Sequence, residues 1–127
     1  MGKFGYLSAL LVLALLMAYS LWQLQPSRMN KLGRNSWVGM RSDATTRSDA
    51  AWLAAHKSSW PLSKIAGTVG IAVVLSAALA ILVVPPSAVE PVAAVAIIGG
   101  IATYTALLVF AFIRAQKAAE RVNRNKD

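Results

Sequence analysis

Cysteine is absent from this chain, acidic residues number five and histidine occurs once. Without cysteine there is neither a disulfide framework nor a thiolate metal site. The lone His56 has acidic neighbours only at Asp43 and Asp49, too few for a zinc site, and Ser48 or Ser59 beside it comes without an oxyanion-hole motif. No cofactor is expected, and the chain reads as a non-enzyme. Charge is also missing where transport would need it. Three long apolar runs contain no ionisable side chain, whereas ion and proton pathways usually require one within the membrane. No pair of broken helices suggests a transporter repeat, so autonomous transport is not expected.

What is present is apolar. Such residues make up 57% of the 127-residue chain and charged residues 14%, an imbalance typical of membrane proteins. The runs cover residues 4–24, 65–84 and 92–113, each about the ~20 helical residues that cross a ~30 Å hydrocarbon core. The expected fold is an all-α, single-domain membrane protein with three transmembrane helices. A secretory signal peptide is the rival reading of the first run, with Lys3 as its basic region and Ala18-Tyr19-Ser20 as a small-x-small cleavage site. Cleavage would, however, leave the basic segment that follows outside the cytoplasm, against the positive-inside tendency.

Prolines punctuate the pattern. Pro26 is expected to end the first helix, Pro85-Pro86 the second, and Pro91 to open the third. A connection this short makes helices two and three antiparallel neighbours. Small residues at four-residue spacing, Ala66 with Gly70, Ala96 with Gly100 and Gly99 with Thr103, suit close helix packing, either within the hairpin or in a homo-oligomer. The hydroxyls of Thr103, Tyr104 and Thr105 are expected to bond inside the bundle. After residue 113 a basic, helix-compatible tail (114–127) carries Glu120 and Arg124 as an i,i+4 pair.

The formal charge of +8 does not point to nucleic acid, because its location explains it. Apart from Lys3, every Lys and Arg lies either in residues 28–64 or after residue 113. That distribution predicts a multi-pass protein of a cell membrane with its N-terminus outside, its C-terminus cytoplasmic and its basic residues facing anionic headgroups.

Residues 28–64 hold the rest of the information. Trp37, Trp52 and Trp60 lie there and Trp22 ends the first run on the same side; indoles favour the headgroup level. The segment is therefore expected to lie along the membrane surface. Thr45, Thr46 and Ser48 are candidate N-caps, and Asp49 suits a helix start. Trp52, Ala55, His56, Ser59 and Trp60 share a helical stripe, so an interfacial cytoplasmic helix ended by Pro61 is expected between helices one and two. Ahead of it, Asn35 and Gly39 have turn chemistry, and Arg41 could present its guanidinium to a carboxylate, a phosphate or a carbonyl cluster.

These residues carry a resemblance. Asn35, Gly39, Arg41, Thr45, Trp52 and the His56-Lys57 pair resemble the N-x-x-x-G-x-R-x-x-x-T…W…N/H-R signature of the SdpI family of bacterial integral membrane proteins. Asp49 matches an acidic residue frequent in that family. The chain looks like a short form, without the N-terminal module of the longer immunity protein. The resemblance implies a cytoplasmic motif and a role in immunity or signalling against a membrane-active antimicrobial peptide. A non-catalytic accessory subunit of a larger membrane complex is the alternative. Under either reading Asn35, Gly39, Arg41, Thr45, Asp49, Trp52 and His56 are the candidate motif residues, and the expected partners are a peptide toxin or a membrane protein.

Overall fold

The computed structural model describes residues 2–126 as four α-helices: α1 (Lys3–Gln23), α2 (Pro26–Leu32), α3 (Asp49–Val83) and α4 (Pro86–Lys126). Three of them, α1, α3 and α4, are long and apolar enough to cross a membrane. With 35 and 41 residues, α3 and α4 run for roughly 50 and 60 Å at ~1.5 Å per residue, well beyond a ~30 Å hydrocarbon core. Their charge-free parts, residues 65–83 and 92–113, lie side by side. Residues 49–64 and 114–126 continue past them at one end, and there they join α2 and the loop 33–48 in a polar head.

α3 is the central element and contacts each of the other helices. Within the spans, Leu10, Ala14 and Met17 of α1 meet Val74, Ala77 and Ile81 of α3 and Val89, Ala93 and Ala96 of α4. Lipid supplies no hydrophobic drive for this association, so close backbone approach matters. Gly67 and Gly70 provide it: a Cβ on Gly67 would lie 2.8 Å from Leu21, and one on Gly70 2.9 Å from Met17. Of the small pairs read from the sequence, Ala66, Gly70, Ala96 and Gly100 are buried, whereas Gly99 and Thr103 line an open groove. Tyr104 donates to Ser20 across the bundle. Thr103 and Thr105 are exposed on its outside.

Two of the proline expectations hold and two do not. The first helix ends at Gln23, ahead of Pro26, which also opens α2 at its first turn, where the missing N–H costs nothing. Likewise α3 ends at Val83, ahead of Pro85. Pro61 and Pro91 instead lie inside α3 and α4, and because α4 begins at Pro86 the two long helices are linked by Val84 and Pro85 alone. The expected separate interfacial helix is instead the first part of α3. Pro61 removes one hydrogen bond, yet the helix runs on through it. Ahead of Pro61 the helix is held by a seam of alanines: Ala51 and Ala55 of α3 against Ala111, Ala115 and Ala119 of α4, with Met40 and Ala44 of the loop. The small side chains let the two helix extensions stay in contact beyond the spans. Residues 49–64 consequently continue the axis of the apolar part of α3 and form a head with the loop, in place of a separate helix. The Glu120–Arg124 pair is replaced by a bond from Gln116 to Glu120, and the helical tail continues to Lys126.

Candidate functional site

The head is built on one glycine. Gly39 has φ +111, and a Cβ there would lie 2.7 Å from the Trp52 ring, 2.8 Å from His56 Nε2 and 3.0 Å from Met29 Sδ. Its backbone therefore sits directly on the side chains of α2 and α3. Trp52 is 1% exposed, and its indole N–H donates to the Met29 carbonyl at 2.8 Å. The sequence expectation of a headgroup-level Trp52 is thus corrected: the ring has a protein pocket and a protein acceptor, which together outweigh the general preference of indoles for the interface. Trp37, at 91% exposed, and Trp60, with Lys64 5.9 Å from its ring centroid, do remain at the periphery.

His56 packs against Trp52 with ring centroids 4.3 Å apart. Its Nδ1 lies 2.8 Å from the Trp52 carbonyl, which can only accept, and its Nε2 lies 2.9 Å from the Met40 amide, which can only donate. These two contacts require the neutral ring with its proton on Nδ1. Burial lowers the His56 pKa from its ordinary 6.5, with the Trp52 backbone bond opposing in part. The sign of the pH dependence follows. Above about 6.5 both folded and unfolded chains carry neutral imidazole and head stability is complete. Below it the unfolded chain takes up the proton first, and stability falls by up to about 1.4 kcal/mol per pH unit until the folded ring titrates too. Amide-exchange protection of the head should therefore drop between pH 7.5 and 5.5, and His56→Gln should flatten that slope. Equal slopes in parent and variant would remove His56 as its source.

The loop ahead of Gly39 is held by Asn35. Its Oδ1 accepts from the amides of Trp37 and Val38 at 2.9 and 2.8 Å, and its Nδ2 donates to the Gly33 carbonyl at 3.0 Å, an Asx-type turn. Arg41 Nε donates to the Asn35 carbonyl at 2.7 Å, closing the 35–41 stretch of the loop while its side chain stays exposed. Thr45 is buried and accepts from the Ser42 amide at 2.8 Å. Ser48 caps α3 by accepting from Ala51. Asp49 in the first turn pairs with Arg34 at 3.0 Å, an exposed contact of modest value.

Gly39, Trp52 and His56 are therefore in direct contact, Asn35 and Arg41 form the loop brace, and Thr45 and Asp49 occupy a separate turn and the α3 start. Several participants escaped the sequence reading. Met29 is fully buried, and as an isolated apolar residue among polar ones it was a legible signal. Gln116 accepts from Ser42, and buried Asn123 donates to the Ala44 carbonyl at 3.0 Å. Their spacing of seven, on the face of Ala115 and Ala119, marks the side of the tail that turns inward.

A protein-family model, described as the SdpI/YfhL protein family, matches residues 31–113. The chain belongs to this family. The match takes in all seven motif residues, the whole of α3 and the spanning part of α4. Together with the three long apolar helices it makes this a multi-pass membrane protein. No curated protein and no solved structure gives a significant match to the chain.

Proposed function

We propose that this family member is a non-catalytic immunity or signalling protein of a bacterial cell membrane, which receives a membrane-active peptide between its spans and turns its head to the cytoplasm. One observation carries the reading. The outer face of α3 and α4 holds an apolar groove of about 610 Å³, lined by Val73, Ala77, Val92, Val95, Gly99 and Thr103 among others. Its small residues allow a peptide backbone to come close, and the Thr103 hydroxyl offers a polar contact. Because α3 and α4 continue unbroken from groove to head, a peptide that spreads them also strains the alanine seam. The orientation rests on the basic residues of the head, set against Lys3 alone at the opposite end. Absence of catalysis is supported by His56, whose two nitrogens are both committed to backbone groups.

Deleting the gene should sensitise cells to one peptide in a panel of membrane-active peptides, and the parent gene should restore resistance. A Cβ on Gly99 meets nothing within 4 Å, so Gly99→Leu should reach the membrane at the parent level yet fill the groove and fail to protect. Unchanged sensitivity to every peptide on deletion would end the proposal. The 91% exposure of Trp37 at the head favours a second reading, an accessory subunit docked to a membrane protein. A stoichiometric partner in mild-detergent purification would support that reading, and a lone homogeneous protein would count against it.

A further inference from the structure

At the foot of α1 the chain builds a small site that neither the fold of the head nor the groove uses. Arg28 of α2 stacks over the Trp22 ring, its guanidinium carbon 3.9 Å from the ring centroid. Its Nε donates to Oε1 of Gln23. Gln23 is buried, and its Nε2 donates in turn to the Tyr19 hydroxyl at 2.6 Å. The Tyr19 and Trp22 rings lie 5.9 Å apart. Stack and relay together fix the plane of a guanidinium whose two terminal nitrogens make no hydrogen bond among the described residues. Nor does the protein neutralise its charge, since the one ion pair among the described residues joins Arg34 to Asp49.

Position decides what such a group would meet. Tyr19 and Trp22 are 58% and 47% exposed on the outside of the bundle, at the end of the charge-free part of α1. Aromatic side chains there mark headgroup depth. A planar cation held at that depth, with its outer N–H groups free, matches phosphate geometry. We propose that Arg28, positioned by Gln23 and Trp22, binds the phosphate of an anionic phospholipid from the surrounding bilayer. The site is built for one headgroup, in contrast to a diffuse attraction of the whole basic head to a charged surface.

Native mass spectrometry of the full chain released from nanodiscs tests this, using phosphatidylglycerol and phosphatidylcholine with identical acyl chains. The parent should retain phosphatidylglycerol in preference. Arg28→Gln should reduce that retention about fivefold, the effect of one basic side chain near an anionic surface, while Arg121→Gln on α4 leaves it unchanged. Arg28→Lys keeps the charge without the planar stack and should also retain less at equal helix content by circular dichroism. Parent-level retention by Arg28→Gln or by Arg28→Lys would overturn the site, as would an equal loss from Arg121→Gln. So would inorganic phosphate binding as strongly in a phosphatidylcholine disc.

Discussion

Gly39→Ala should open the head while leaving the spans assembled. Two costs fall on one methyl group. At φ +111 an L-residue is strained by about 1–2 kcal/mol, and the added Cβ would enter a space already filled by the Trp52 ring, His56 and Met29. Only Met29 of these is flexible, so overpacking adds about 1–3 kcal/mol. A combined loss of roughly 2–5 kcal/mol is comparable with the whole stability of a small folded unit. The spans have their own buried cluster of Leu10, Met17, Val74, Ile81 and neighbours, which the substitution does not reach. In amide-exchange measurements, protection should be lost over residues 29–56 and kept over 65–83. Parent-like protection across 29–56 would contradict the packing described for this glycine.

Trp52→Ala is the second large effect, and it tests the opposite side of the same contact. Removing a buried tryptophan costs about 3–5 kcal/mol, and the lost indole bond to Met29 adds about 1 kcal/mol. The Met29 carbonyl keeps a partner, because the Gly33 amide also donates to it at 2.9 Å, so no buried acceptor is orphaned. Trp52→Phe retains much of the packing and should lose far less. Limited proteolysis of the purified protein separates the variants: rapid cleavage within 33–48 for Trp52→Ala, slow cleavage for Trp52→Phe and parent. Were Trp52 a headgroup anchor, both variants would resist the protease alike and differ only in membrane level.

The spans were legible because twenty uncharged residues admit few alternatives in a membrane. The α3 stripe was legible too: Trp52, Ala55, His56 and Ser59 are buried, and Trp60 is half-buried. What the stripe faces was not. Periodicity reports that a side is covered and is silent about whether lipid or protein covers it. Trp52 and His56 are covered by Met29, Gly39 and Met40, and Ala55 by the seam with Ala111, Ala115 and Ala119; alanine at four-residue spacing is too common in helices to stand out. The prolines misled for a related reason. Pro61 and Pro91 forbid one hydrogen bond each, a local cost that the length of α3 and α4 and their mutual packing absorb. Asn35 and Gly39 were readable as turn residues, but the contact of Gly39 with Trp52 and His56 joins residues far apart in sequence, and no local pattern encodes it.

The docking of Asn123 onto the Ala44 carbonyl and of Ser42 onto Gln116 has a consequence for biosynthesis. The loop and the α3 start leave the ribosome long before residues 116 and 123 exist. Until then the alanine face of α3 and the Ser42–Thr45 turn lack their α4 partners. Only after the α3–α4 hairpin has been inserted, and residues 116–123 translated, can the loop be sealed against α4. Closure of the head against α4 thus requires that residues 116–123 have been made and the hairpin threaded correctly. A chain that stalls or inserts with the wrong topology instead leaves residues 33–48 open to the proteases that clear unfinished membrane proteins.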